Sequence, residues 1–500
     1  MKNGSKRVKK NKISARSLWM ITFFAGIFFL ASFMHIAVFP RKWLWRLLIG
    51  LGMFLLCSGG VSLALGKKGR VIKAVNVVAA ACFLIAGIFL PYYQDRVADL
   101  FVSVIGDKVK INLYVMNNDY REAHWDVFGA MQPETLVDCA GGVFLTAGAL
   151  DGDNSEYALE KVKDAIGNVA ISDCTSAFAA AQALYANKGM VLVMSEGYES
   201  LVKDTPEFEF FDEQTTVIGS YYRTVSTVSQ IRETMALTKK PFSIFIGGND
   251  QEGELSVIGR TDVDMLITVN PRSHQISIVS LPRDSYIANP ALSSQKDKLT
   301  HLGLSGIENT LEGFGDYMNV DIENYVLVNF TTFKQIIDAL GGVDVDNPYA
   351  FSYFWDSQYV YPQGRIHLDG DAALFYVRER YNLVNGDFDR NMHQQLVMRA
   401  IIEKATSREV ITHFNELLKA LNGTFLTNVS SDAMFALGRM QLEDDIQWNV
   451  VNKHISGTTG MEVCASAVGM PLSVVYPDEE EAEHARELIQ AVIRGEIISE

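Results

Sequence analysis

The chain has 500 residues, 48% of them apolar, and a net charge of −15. That length exceeds one compact core, the acidity argues against a nucleic-acid ligand, and five cysteines are too few for a disulfide scaffold. The charge is also unevenly placed: residues 1–92 hold fourteen Lys/Arg and no Asp or Glu, leaving −29 on the rest, so the two parts suit different surroundings.

The first predicted elements are three apolar runs, Leu18–Phe39, Trp43–Leu65 and Val71–Tyr93, each close to the ~20 residues that cross a bilayer core as helix. A secretory signal would be one shorter run with a small-residue cleavage site, which three runs do not resemble. Lys2, Lys6, Arg7, Lys9, Lys10, Lys12 and Arg16 precede the first run, and Lys67, Lys68, Arg70 and Lys73 lie between the second and third. The positive-inside rule then predicts a multi-pass plasma-membrane protein with a cytoplasmic N-terminus and everything after about Tyr93 outside. Arg41, Lys42 and Arg46 run against this topology; a re-entrant pair made of the first two runs would still leave the third to export the remainder.

The expected fold class is α/β: a basic tail (1–17), three transmembrane helices (18–93), a small α/β accessory domain (97–238), a larger α/β domain with a central sheet flanked by helices (242–476), and a C-terminal helix (477–500). In the accessory part, strand-like Lys110–Met116 and Val191–Met194 alternate with helical Tyr157–Ile166 and Thr175–Ala186. It carries no catalytic motif. Arg232–Lys240, ending at Pro241, makes the junction, and Asp478 is the expected N-cap of the acidic terminal helix. Cys139 and Cys174 pair as a disulfide or stay buried thiols, and no CxxC or HExxH accompanies the nine scattered histidines, which argues against zinc.

Chemistry concentrates in the larger domain. Ser243–Ile246 is a short strand running into Gly247-Gly248-Asn249-Asp250, so Asp250 either points into a cleft or bonds its own turn. Arg260, Asp262 and Asp264 alternate onto one face ahead of the strand Met265–Val269, forming either a metal and phosphate site or a self-neutralising salt bridge. A turn at Pro271–His274 returns the chain as Gln275–Leu281, a hairpin that brings Arg283 to the edge where Asp262 begins its strand. Leu368–Val377 reads as a helix closing on Arg378-Glu379-Arg380, whose two arginines converge only if the chain turns extended there. Asp389 is read as the cap of a further helix on which Arg390, Gln394, Val397 and Ile401 share a stripe. A buried arginine needs a negative partner, either a protein carboxylate or a ligand phosphate.

IGGND ending at Asp250, RTD ending at Asp262, LPRD ending at Asp284, LDGDAALFYVRER ending at Arg380 and DFDRNMHQQ ending at Gln395 together resemble the LytR-CpsA-Psr (LCP) family of Gram-positive envelope proteins. The likeness spans about Phe242–Thr406, and three apolar runs before an accessory domain are similar to the streptococcal capsule-associated members. His393 departs from the pattern where an arginine is frequent, and Asp264 adds an acid to it.

The resemblance implies a membrane-anchored phosphotransferase. Such an enzyme moves a glycopolymer, capsule or teichoic acid, from a polyprenyl-pyrophosphate carrier to the muramic acid C6 hydroxyl of peptidoglycan. It further implies that Asp250 and Asp262 hold Mg²⁺ or Mn²⁺, and that Arg260, Arg283, Arg378, Arg380, Arg390 and Gln394 grip the pyrophosphate. Asp262, Arg378 and Arg380 would be catalytic, with Asp262 or Asp264 as candidate base, and the lipid would lie in an apolar tunnel between sheet and helices. The implied partners are the lipid-linked glycan, peptidoglycan, the plasma membrane and proteins of envelope polymer synthesis, without nucleic acid. The same residues also suit a hydrolase that uses water, or a non-catalytic binder of the lipid precursor that regulates envelope assembly.

Overall fold

The structure, a computed structural model, describes residues 15–34, 41–65, 71–85, 107–147, 151–203, 205–225, 237–249, 259–407, 425–429, 431–444, 446–469 and 471–499. These fall into two compact units. One holds helices α1 (Ala15–Met34), α2 (Arg41–Leu65) and α3 (71–85) together with the helix Ser431–Asp444. Buried polar groups bind the first three to one another: Trp19 Nε1 donates to the Leu55 carbonyl at 3.0 Å, Thr22 Oγ1 to the Asn76 carbonyl at 2.7 Å, and Asn76 Nδ2 to Ser62 Oγ at 3.0 Å.

Among the described residues no helix is long and apolar enough to cross a membrane. The expectation of three transmembrane helices is therefore corrected, and with it the multi-pass plasma-membrane location. The described parts of the apolar runs form helices that pack on one another through polar as well as apolar contacts.

The other unit contains, among the described residues, two large sheets and four two-stranded ones. The first is built from β1 (Asp107–Met116), β2 (Val143–Thr146), β3 (Ala170–Asp173), β4 (Val191–Ser195) and β5 (Thr215–Val225), in the order β3-β2-β4-β1-β5. The β2 strand runs parallel to both β3 and β4, while β1 is antiparallel to β4 and β5. Helices α4 (Gly152–Ile166), α5 (Ala177–Tyr185) and α6 (Glu196–Lys203) bury Leu159, Leu184 and Leu201 against it. Cys139 and Cys174 are both free thiols.

The second sheet starts at the expected point. Its strands are β6 (Phe242–Gly248), β7 (Val263–Asn270), β8 (Gln275–Ser280), β9 (Asn324–Val328), β10 (Leu426–Thr427) and β11 (Asn449–His454), in the order β10-β9-β6-β7-β8-β11. The β7–β8 hairpin pairs Asn270 with Gln275 and Met265 with Ser280, as the turn at Pro271–His274 predicts. Strands β9 and β11 are parallel to β6 and β8, and the edge strand β10 is antiparallel to β9.

One face of this sheet carries the helix Ile307–Met318 and the terminal helix Glu479–Arg494, whose Ala482, Ala485 and Ile489 join Phe245, Leu266 and Phe314 in the core. Asp478 caps the terminal helix by accepting from the Glu481 amide at 2.9 Å. Three further helices follow in chain order: Phe330–Ala339, Gly370–Arg378 and Asp387–Ala405. They are called α7, α8 and α9 below; α7, α8 and α9 face β6, β7 and β9 across an apolar cavity.

Candidate functional site

The hairpin sets the first part of the site. Because β7 begins only at Val263, Asp262 lies in the bend before the strand, with its amide bonded to the Gly248 carbonyl at 2.6 Å. Arg283 follows β8 on the same edge and donates to Asp262 through Nη1. Its Nε also lies 3.8 Å from Asp284, which takes a 2.9 Å bond from Lys298. Burial alone would lower the Arg283 pKa, but the Asp262 and Asp284 carboxylates outweigh it and hold the guanidinium charged. Burial likewise pushes Asp284 up, and Lys298 and Arg283 more than reverse that.

Asp264 behaves differently from its neighbour. It is fully enclosed, its Oδ1 accepts from Thr261 at 2.5 Å, and burial pushes its carboxyl up to about 8 despite that bond. The strand alternation that was expected to place Arg260, Asp262 and Asp264 together fails here because the extended stretch starts after Asp262.

The second part comes from the helices. The α8 N-terminus is capped by Asp369, which accepts from the Ala372 amide at 2.9 Å, and the helix ends at Arg378. Glu379 then turns extended, φ −63° and ψ 134°, so the chain meets the condition under which Arg378 and Arg380 can serve one site. Arg378 stacks its guanidinium 4.4 Å above Phe330 of α7, and Arg380 lies 4.8 Å above Tyr381.

The α9 helix begins at Asp387, two residues before the expected cap. Asp389 therefore sits inside its first turn and reaches back to the Asn385 amide at 2.9 Å. Arg390 is nearly enclosed; its Nη2 meets Asp387 at 2.6 Å, while its Nε has no acceptor among the described residues. Burial lowers its pKa against the pull of Asp387. Gln394 donates to the Val377 carbonyl at 3.4 Å, joining α9 to the end of α8.

These parts converge. Arg390 lies close enough to Arg283, Asp262 and Arg380 for their charges to act on it, and Asp387 acts on Arg283. Asp262 and Gln394 line an otherwise largely apolar cavity of about 80 Å³, with Ile246, Met265, Phe330, Phe333, Leu374 and Met398. Positive charge at one end of a greasy slot suits an amphiphile with an anionic head.

Arg260 stands apart from this ring. Its Nη1 donates to the Ser200 carbonyl at 3.2 Å, one of the last four of α6 that lack a helical donor. Asp250 lies outside the described residues. His393 is no phosphate contact: its ring is buried among Tyr376, Phe351 and Tyr349, at 4.3, 4.9 and 5.9 Å.

Sequence reading passed over Glu379, Asp387, Lys298 and Phe330. The Asp387–Arg390 spacing of three on a helix was a usable signal; the others depend on chain crossings that no local pattern encodes.

Two places hold possible metal donors. Beside Asp262, Asp264 Oδ2 and Asn249 Oδ1 are buried acceptors with no donor among the described residues. Such oxygens fit a hard divalent cation. Asp297, His301 and Cys464 also bring donor atoms within 4.8 Å of one another. There, however, Asp297 already accepts from His301, Asn289, the Lys298 and Ser466 amides and the Ser466 hydroxyl, so it serves as a hydrogen-bond hub.

Comparison with known proteins gives a consistent picture. The LytR_cpsA_psr family profile matches residues 211–471. A Bacillus cereus protein named polyisoprenyl-teichoic acid–peptidoglycan teichoic acid transferase TagU is 35% identical over 214 residues, covering 42% of this chain and 68% of its own. The Enterococcus faecalis protein of the same name is 34% identical over 223 residues, covering 44% and 72%. The crystal structure of B. subtilis TagV aligns over 51% of this chain and 98% of its own, with 26% identity and a TM-score of 0.44. That of B. subtilis TagU aligns over 52% and 100%, with 28% identity and a TM-score of 0.40.

Proposed function

The chain belongs to the LytR-CpsA-Psr family, and from that premise we propose that it is a phosphotransferase that moves a glycopolymer from a polyprenyl-pyrophosphate carrier to peptidoglycan. The observation that carries this reading is the apolar cavity lined in part by Asp262 and Gln394, together with Arg390, on which the charges of both Arg283 and Arg380 act. Polyprenyl is a chain of methyl-branched apolar units, the first of which suits such a slot, and pyrophosphate suits the arginines. The TagU relatives are named for the transfer of teichoic acid, which makes a phosphate-linked wall polymer the first candidate cargo.

In the reaction, the muramic acid C6 oxygen attacks the sugar-bearing phosphorus. A new P–O bond forms, the P–O bond to the lipid side breaks, and polyprenyl phosphate leaves with the electron pair. Its second ionisation lies near pH 6, so the departing phosphate can take the hydroxyl proton and the balance requires no protein base. Arg283 and Arg390 hold the equatorial oxygens, where charge is spread in the transition state. Arg378, steadied on Phe330, and Arg380 meet the leaving side. Arg260 grips the phosphates from the accessory side if it leaves the Ser200 carbonyl.

Mg²⁺ or Mn²⁺ fits the oxygen set of Asp262, Asp264 and Asn249, and when bound would neutralise phosphate charge. An ionised Asp264 would go with that state, because its carboxyl otherwise keeps a proton up to about pH 8.

The test is product analysis after mixing the full chain with a polyprenyl-pyrophosphate oligosaccharide and uncrosslinked peptidoglycan, with and without Mg²⁺. Glycan joined to muramic acid is the expected product, falling about 10²–10³-fold in Arg378→Ala. Released glycan phosphate alone would mean hydrolysis, and intact bound lipid would mean a binding role.

A further inference from the structure

Beside the arginines, three aromatic rings face solvent. Phe354, Trp355 and Tyr381 form a mutually braced array: Phe354 lies 5.0 Å from both Trp355 and Tyr381, and Trp355 lies 5.9 Å from Tyr381 at a near-right angle. Trp355 is 70% exposed and its companions about half exposed, so the array is not part of any core. Val384, 88% exposed, lies three residues beyond Tyr381. Monomer surfaces rarely leave such rings contiguous without use.

The array is built rather than accidental. Its two loops are fixed by one buried carboxylate: Glu379 Oε2 accepts from the Phe354 amide at 2.5 Å, and Oε1 from the Asn382 amide at 2.9 Å. Asn382 Nδ2 closes the link by donating to the Ser352 carbonyl at 3.0 Å. Arg380 ties the array to the phosphate site, lying over the Tyr381 ring and donating to its hydroxyl at 2.7 Å. The residue between the two arginines of the RER motif thus holds a surface at the edge of the chemistry.

We propose that Phe354, Trp355 and Tyr381 form a stacking platform for the sugar rings of the peptidoglycan acceptor strand, an inference that rests on the transferase reading. The C–H face of a pyranose carries slight positive charge and meets the negative face of an aromatic ring, and rings already held in place lose little freedom on binding. In that reading the donor has its own anchors, with pyrophosphate on the arginines and lipid in the cavity, and the array lies beside them through Arg380. An open platform also admits a ring in the middle of a long strand, which a closed pocket would not. Three rings are far too small for a specific protein interface, which takes roughly 800 Å² from each partner.

The test uses the full chain, with Trp355→Ala and Trp355→Phe, at fixed polyprenyl-pyrophosphate oligosaccharide and rising concentrations of uncrosslinked glycan strands. The acceptor KM is expected to rise about tenfold in Trp355→Ala and to recover largely in Trp355→Phe, while the donor KM stays put. An unmoved acceptor KM, or a rise in the donor KM instead, overturns the proposal. If the unaltered chain transfers nothing, the transferase reading fails by itself, and saturation-transfer NMR with soluble glycan strands decides the platform. Signal present with the unaltered chain and lost with Trp355→Ala supports it; equal signal in both, or none in either, sinks it.

Discussion

An imidazole enclosed by aromatic rings loses more in hydration than its neighbours return, so His393 stays neutral: burial lowers its pKa to about 4, against a bond to the Tyr376 carbonyl and the pull of Asp389 and Glu379. Its folded value lies below the ordinary 6.5. As pH falls, the unfolded chain therefore takes the proton first. The stability associated with a neutral His393 is present in full above about pH 6.5 and is lost as pH drops toward 4. Between pH 7 and pH 5 the loss amounts to at most about 2 kcal/mol. His393→Phe keeps a ring in the aromatic cluster and removes this term, so its unfolding free energy should fall less over that interval; denaturant titrations at the two pH values check it, and parallel slopes would refute it. Position 393 was legible as a departure from the family pattern, but not as core, because a helix stripe does not tell which neighbours face it. The Asp262–Arg283 pair was more accessible, since hairpin register alone brings the two to one edge.

The first turn of helix α8 shows how an element sets the site from a distance. Gly370, at its first position, donates to Asp338 of α7 at 2.8 Å, and a methyl group there would lie 2.6 Å from the Lys334 carbonyl oxygen and 2.8 Å from Asp338 Oδ2. The glycine lets α7 and α8 close together, which sets Phe330 and Phe333 against Leu374 and Val377 around the cavity. Gly370→Ala should force the helices apart, destabilise the fold by about 1–3 kcal/mol and weaken donor binding, read as a lower denaturation midpoint with a raised donor KM. A midpoint within error of the unaltered protein would show that the joint yields without strain. Helices α8 and α9 were visible as patterns in the sequence, and the hairpin as a turn between alternating runs, whereas α7 was not singled out. Strand order was not: β11 pairs with β8 across about 170 residues, and periodicity carries no information about which strands meet. The start of α9 was misplaced for a related reason, because Asp389 can cap from outside a helix or bond backward from its first turn, and only the backbone decides.

At the scale of the molecule, the two sheets from residue 107 onward share a hydrophobic cluster. Tyr198 and Leu201 of α6 pack in it with Leu304, Cys464, Ala467 and Val474 from the second sheet's side. Gly197 of the same helix leaves room for Leu304 and for the Gly259 backbone, directly before Arg260, whose guanidinium meets the Ser200 carbonyl. The sequence shows the two α/β segments and their junction, but a shared core is a property of surfaces that come from distant stretches, so its contacts have no local signature. Burial of Leu304 contributes to both halves at once. Leu304→Ala should remove about 2–5 kcal/mol, and the loss should be common to both sheets. Native-state hydrogen exchange measures this directly: amides of β1 and β4 on one side and of β6 and β7 on the other should open with one free energy, lowered equally by the substitution. If only the β6 and β7 amides are lowered, the cluster does not couple the halves, and the accessory sheet would be a passenger with no hold on Arg260. Equal lowering would mean instead that any ligand stabilising the accessory sheet also steadies α6, and through the Ser200 carbonyl Arg260.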